Sequence, residues 1–364
     1  LRTPEKVTAP ETSEKPPTGY PTATIPITAH GARRADGAVT PHDVNIWQIG
    51  NETSYGDGGF SKTEAIAHTV SFARAMRARD PSIRLIAWGD RGSGDDRSLW
   101  AADMLRQAGG YIDDIAIHMM QQIPRASDTV LRGTRYQQDP AQAWAELMEM
   151  SGGIEDRIVE LEDVIRAQGA RTGIAVTEGH LSLVPHNANA ILEEWLTGAY
   201  HARALNIYQR HGDRVRIATA ADFCATRWTV AALRLQVPRG ISYLTPAGSV
   251  MRLFGRHSGQ QAIAVTTAPP DLDIAASRTG ERVFLHVANI RYNGAVEATL
   301  AIDGRSVAGG RILEISPASP RQAVTQDQPD VFTPVELPVL PGPNVTWRFP
   351  AASVSVVEVD LIPN

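Results

Sequence analysis

From Val44 onward the chain alternates short apolar runs with longer amphipathic stretches, and this alternation constrains the fold more than any other feature of the 364 residues. A strand buried on both faces of a parallel sheet reads as a continuous apolar run, and the crossover helix that must follow it reads with a 3.6-residue period. The repeat therefore predicts βα units feeding a parallel sheet. Strands are expected at Val44 to Ile49, Ile83 to Trp88, Ile112 to His118, Gly173 to Thr177 and Val215 to Thr219. Between them, helices are expected over Ser61 to Arg79, Ser98 to Ala108, Pro140 to Met150, Ile154 to Gln168 and Asn187 to Arg210. Ser61 and Glu64 have the spacing of a capping box.

After Pro246 the helical period is lost and alternating strands are expected at Ala262 to Thr266, Arg282 to Asn289, Ala295 to Ile302, Gly310 to Ile315, Asn344 to Phe349 and Ser353 to Asp360. That spacing predicts an antiparallel sandwich, with the Pro-rich segment 316–343 as a long surface connection. The opening residues, Leu1 to Thr22, are crowded with Pro, Thr, Glu and Lys and read as a disordered leader. The expected organisation is a leader over 1–22, a β/α domain over 23–245 and a β-sandwich over 246–364.

Charge excludes one class of partner: 35 basic residues against 40 acidic ones lack the excess that a phosphate backbone demands, so no nucleic acid is expected. No apolar stretch reaches the length of a membrane span, so no membrane partner is expected either. The first thirty residues hold no apolar signal region, which leaves the compartment open with the cytoplasm slightly favoured. The single cysteine, Cys224, is expected to be a buried small hydrophobe, and no Cys/His cluster has zinc spacing; proton transfer and covalent capture by carboxylates need only side chains, so neither metal nor cofactor is expected.

Two carboxylates lie immediately beyond predicted buried strands: Glu52 after Ile46 to Ile49, and Glu178 after Ile174 to Val176. In a β/α barrel the active site is assembled from such strand ends. A lone acidic residue there is more often a helix cap or a loop ion pair, but two of them can do the work of retaining glycoside hydrolysis. One protonates the leaving oxygen and the other attacks the anomeric carbon, which requires carboxyl groups about 5 to 5.5 Å apart.

The run Trp47-Gln48-Ile49-Gly50-Asn51-Glu52 resembles the acid/base motif of the α-L-arabinofuranosidases of glycoside hydrolase family 51. The resemblance implies that Glu52 is the general acid/base and that Asn51 hydrogen-bonds the sugar 2-hydroxyl. Ile115-Ala116-Ile117-His118 is similar to the sixth strand of that family, which gives His118 a place in the sugar pocket, and Ile174 to Glu178 is similar to the seventh, which makes Glu178 the nucleophile. Arg210 to Val215 is similar to the stretch leading into the last barrel strand. The implied fold is a TIM-type (β/α)8 barrel with a C-terminal antiparallel β-sandwich. The implied function is exo-acting release of arabinose from arabinose-containing carbohydrates by double displacement.

Two departures from the family pattern bear on this. Gly179-His180 stands where Trp-Asn is usual after the nucleophile, and Met119-Met120 follows the pocket histidine in place of aromatic residues. In addition, 43 residues precede Val44, whereas three βα units need roughly 90. The barrel is thus expected to be incomplete, with strands four to eight only, as a fragment, as one of two chains that complete a barrel (a homo-oligomer or another partner), or as a rearranged fold. The alternatives for function are a catalytically impaired carbohydrate-binding remnant and a related retaining glycosidase acting on a xyloside or glucuronide.

Other features have plainer readings. Gly89 to Gly94 has the glycines of a phosphate loop without the ending or spacing of a nucleotide fingerprint. Asp113-Asp114 reads as a solvated turn, and Trp88 and Trp100 as either core or sugar platform.

Overall fold

A computed structural model describes residues 43–55, 60–93, 98–122, 128–186, 188–219, 221–302 and 304–363. The leader over 1–22 and Gly94 of the Gly-rich loop lie outside the described residues. Five apolar runs form strands β1 (Ile46–Ile49), β2 (Arg84–Trp88), β3 (Asp114–Gln122), β4 (Gly173–Ser182) and β5 (Val215–Ala218). They pair in that order, every neighbour parallel, in one five-stranded sheet. This is the strand layer of a β/α barrel, five strands of it among the described residues.

Helix α1 (Lys62–Arg79) starts at the predicted capping box: the Ser61 hydroxyl accepts from the Glu64 amide at 3.3 Å and the Glu64 carboxylate accepts from the Ser61 amide at 3.0 Å. Helix α2 covers Ala101–Ala108, three residues later than expected. The two helices predicted between residues 140 and 168 are one, α3 (Pro140–Ala167), capped by Asp139 with Pro140 in its first turn. Gly152 and Gly153 do not break it, because Trp144, Leu147, Ile154, Ile158, Leu161 and Ile165 bury a continuous stripe. That burial outweighs the glycine penalty of about 1 kcal/mol each.

Between residues 187 and 210 the opposite holds. Among the described residues there, α4 (Gly198–Arg210) alone is α-helical, preceded by two 3-10 turns at Ala190–Glu193 and Trp195–Thr197. The Trp195 amide donates to the Gln322 carbonyl at 2.9 Å and the Val324 amide to the Glu193 carbonyl at 3.0 Å, so a distant segment captures backbone groups that a helix would have used.

Beyond β5 lies a small sheet of β6 (Asp222–Ala225), β7 (Ala231–Arg234) and β8 (Tyr243–Leu244). The loss of helices expected after Pro246 is corrected by α5 (Pro246–Arg256), whose N-cap Thr245 accepts from the Gly248 amide at 3.2 Å. Thr245-Pro246 is a helix-start signal legible in the sequence. The helix buries Val250, Leu253 and Phe254 in the same core as α3 and α4.

The remainder is antiparallel. Strands β9 (Gln261–Ile263), β10 (Leu272–Thr279), β11 (Arg282–Asn289), β12 (Val296–Leu300), β13 (Val307–Ile315), β14 (Val335–Val339), β15 (Val345–Phe349) and β16 (Val354–Leu361) form a six-stranded sheet, ordered β14-β13-β16-β11-β10-β9, and the pair β12-β15. Strand β10 was not expected, and β14 arises within the predicted surface connection. Val283, Leu285, Ile312, Val357 and Val359 fill the interior of this region. On its other side Ala288, Leu313, Ile315, Val354 and Val356 join the core built by the helices. Indole donors mark the junction: Trp195 Nε1 to the Ala352 carbonyl at 2.8 Å and Trp144 Nε1 to the Ile290 carbonyl at 2.7 Å.

Two small readings are also corrected. Asp114 is not a solvated turn residue: it is fully buried at the start of β3, where its carboxylate accepts from Arg84 at 2.7 Å and Arg216 at 3.3 Å. Cys224 is not buried; it is an exposed free thiol on β6, where Phe223 and Cys224, on opposite faces of the strand, are both left uncovered.

Candidate active site

The carboxyl ends of β1, β3 and β4 bring together Glu52, His118 and Glu178. Strand β1 ends at Ile49, and the chain turns sharply through Gly50 (φ +76°) to Glu52, itself left-handed at φ +51°. A side chain at position 50 would meet Thr53 at 2.9 Å, so glycine is needed there for space as well as conformation. The Tyr55 amide closes the turn on the Glu52 carbonyl at 2.9 Å. A non-glycine residue held in this conformation costs of order 1 kcal/mol and persists where its surroundings over-determine it.

His118 and Glu178 are direct cross-strand partners. The register slips between Ile117 and His118, leaving Thr177 without a partner, so Glu178 rather than Thr177 stands opposite the histidine. His118 Nδ1 lies 2.9 Å from Glu52 Oε1 and 3.5 Å from Glu178 Oε2, and one ligating atom from each of the three residues falls within 4.8 Å of the others. The imidazole is 1% exposed and the two carboxylates about a third exposed, so the histidine is structural floor and the acids face the opening. Asn51 sits in the same turn, exposed, its side-chain Oδ1 accepting from Gln48 Nε2 at 3.3 Å, and it lies outside the three-residue cluster.

Asp90, from the Gly-rich loop, anchors this floor. Fully buried, it accepts from the His118 amide at 3.1 Å, the Tyr55 hydroxyl at 2.8 Å, the Arg91 amide at 2.7 Å and Arg157 at 2.5 Å. Arg157 also donates to the His118 carbonyl at 2.8 Å, so both backbone groups of His118 are held. Burial first, then the charge of Asp90, pushes the Tyr55 phenol far above its ordinary range, which keeps the proton on the donor. Trp88 packs edge-on against His118 at 4.6 Å between ring centres and is 1% exposed; Trp100 is 5% exposed. Both tryptophans are core, and neither offers a face to a sugar.

Three further residues come to the site without having been singled out for it. Asp90 and Arg157 carry no local sequence signal, since their convergence depends on β2, β3 and α3 packing together. Asp222 at the start of β6 forms a second cluster with Glu178 and His180, ligating atoms again within 4.8 Å. Burial raises the Asp222 carboxyl above its ordinary value, with the charge of Glu178 adding to the shift and His180 opposing it. His180 Nε2 is 3.2 Å from Glu178 Oε1. The Gly179 departure also has a cause in the strand pairing: a Cβ there would lie 2.5 Å from the Thr219 carbonyl oxygen.

In comparisons with known proteins, the model of an α-L-arabinofuranosidase 1 domain matches residues 21–138 and that of an α-L-arabinofuranosidase C-terminal domain matches residues 186–353. No curated protein sequence matches significantly. Among solved structures, the α-L-arabinofuranosidase from Thermotoga maritima, in complex with arabinose, superposes with a TM-score of 0.69 at 22% identity over 91% of this chain and 69% of its own. The family 51 arabinofuranosidase from Xanthomonas axonopodis pv. citri gives 0.71 at 19% identity over 91% and 69%. A family 44 endoglucanase from Clostridium acetobutylium gives 0.64 at 12% identity over 87% and 66%. With two models of one family matching in sequence order, and β/α and sandwich layers as in those structures, the chain belongs to the α-L-arabinofuranosidase family of glycoside hydrolases.

Proposed function

We propose that the chain hydrolyses terminal α-L-arabinofuranosides with retention, Glu178 serving as nucleophile and Glu52 as acid/base. The observation that carries this reading is the approach of the two carboxylates, oxygens within 4.8 Å, across His118. That separation suits direct attack; the 6.5 to 9.5 Å of an inverting enzyme would leave room for a water.

In the first step an electron pair on Glu178 bonds to the anomeric carbon. The bond to the leaving oxygen breaks, and that oxygen takes the proton of Glu52. Glu52, now a carboxylate, then draws a proton from water as the water attacks the same carbon and releases Glu178. His118, fixed by Asp90 and Arg157, holds the acid/base through the 2.9 Å contact at Nδ1. Asn51, exposed and next to Glu52 in the turn, is assigned the sugar 2-hydroxyl. The substrate is an arabinose-containing oligosaccharide or polysaccharide trimmed from its end. Strands β1 and β5 each pair on one side only among the described residues, which supports a second copy or another chain completing the barrel; light scattering of the purified protein tests it.

The deciding experiment is Glu178→Ala assayed on an aryl α-L-arabinofuranoside. Turnover should vanish, and azide should restore it with an arabinosyl azide of inverted configuration. A variant without rescue would remove Glu178 from the role. If the parent chain hydrolyses no aryl arabinofuranoside but binds arabino-oligosaccharide in calorimetry, the carbohydrate-binding alternative holds; turnover of a xyloside or glucuronide instead would keep the chemistry and change the sugar.

A further inference from the structure

His180 lies two residues beyond Glu178 on β4, 7% exposed. Its Nε2 approaches Glu178 Oε1 at 3.2 Å, whereas its Nδ1 is buried with no hydrogen-bond partner among the described residues. With the proton on Nδ1 the ring would bury an orphan donor and turn a lone pair toward the carboxylate. With the proton on Nε2 it donates to Oε1. The two oxygens of Glu178 are thereby unequal. Oε1 receives the closer imidazole, and among the described residues Oε2 has the longer 3.5 Å approach of His118, whose shorter contact is to Glu52. A Cβ at position 179 would lie 2.5 Å from the Thr219 carbonyl oxygen, so the backbone that carries His180 packs closely against the segment beyond β5.

Resting on the assignment of Glu178 as nucleophile, we infer that His180 is its positioning residue: the imidazole pins Oε1 and leaves Oε2 as the atom that bonds to the anomeric carbon. In the glycosyl ester Oε2 is then the bridging oxygen and Oε1 the carbonyl oxygen, still accepting from Nε2. When water attacks the anomeric carbon and gives its proton to Glu52, the Oε2–carbon bond breaks and its pair returns to the carboxylate. The charge appearing on Oε1 strengthens the hydrogen bond. The ring gains and loses no proton in the cycle.

The test compares His180→Ala and His180→Gln, each alone and in the Glu178→Ala background, on 2,4-dinitrophenyl α-L-arabinofuranoside. In the parent background His180→Ala should lower kcat about ten- to a hundredfold, the worth of one hydrogen bond to a charged group, with KM changed less than about twofold. His180→Gln, which keeps a donor, should recover most of that loss. In Glu178→Ala, where no carboxylate remains to be held, adding His180→Ala should leave the azide-rescued rate unchanged.

A kcat within twofold of the parent in His180→Ala overturns the inference. So does an equal loss in the azide-rescued background, or a glutamine variant as slow as the alanine one. If the alanine variant loses its circular dichroism spectrum, His180→Leu, which keeps bulk and removes the donor, takes its place in both backgrounds with the same expected and overturning outcomes. Intact rescue with indifferent His180 variants sinks the positioning role alone; absence of rescue sinks the nucleophile assignment and this role with it.

Discussion

His118 and Glu178 face each other across β3 and β4 because a single residue, Thr177, drops out of the pairing between them. Without that slip the nucleophile candidate would sit one position out of register, on the wrong side of the strand. The same histidine reaches Glu52 at 2.9 Å, so one buried ring spans both acids.

Replacing Glu52 by alanine separates its two duties. Hydrolysis of a 4-nitrophenyl or natural arabinoside should fall about a hundredfold or more, since general acid catalysis contributes roughly 10²–10⁴. A 2,4-dinitrophenyl arabinoside needs no protonation to leave, so its glycosylation step, read as a burst of phenolate, should be nearly unchanged. Equal losses in the burst for both leaving groups would deny Glu52 the acid role.

Asp90 holds His118 from beneath, and Arg157 completes the pair at 2.5 Å. Asp90→Ala strands a partly buried guanidinium and frees the His118 amide and the Tyr55 hydroxyl. The expected cost is about 3 to 5 kcal/mol in urea denaturation, as for other broken buried pairs. A loss under about 1 kcal/mol would show the network to be dispensable.

His286 should give the fold an acid limit. Its ring is stacked on Phe254 at 3.9 Å between centres and donates from Nε2 to the His257 carbonyl at 2.8 Å. Burial lowers its pKa to about 4, the carbonyl hydrogen bond opposing the shift only in part. The unfolded chain binds this proton near pH 6.5 and the folded chain only near 4. Between those values the unfolded state holds more protons, so stability falls as pH falls, by about 3 kcal/mol in all. His286→Gln keeps a donor for the carbonyl and removes the titration. Melting curves from pH 7 to 4 should converge toward the variant's, and a constant gap between the two would contradict the assignment.

Cys224 is exposed on β6. One thiol per chain should react with a disulfide reagent in native buffer as completely as in denaturant. Protection under native conditions would mean that another surface covers the strand.

Local sequence determined the parallel strands, the capping box at Ser61 and the two acids at strand ends. These follow from apolar period, backbone hydrogen bonding and turn chemistry within a few residues. It misread what distant partners decide. One helix runs through Gly152 and Gly153 because its apolar stripe is buried, and another is cut back to Gly198–Arg210 because Gln322 captures its backbone. The site divides the same way. Glu52, His118 and Glu178, which the structure brings together, were candidates from motif and position, and Asn51 beside them stays outside their cluster; the contacts of Asp90, Arg157, His180 and Asp222 became visible only in three dimensions. A hydrogen bond between residues 67 positions apart, such as Arg157 to Asp90, has no local period or propensity to announce it. Packing alone brings the two groups together.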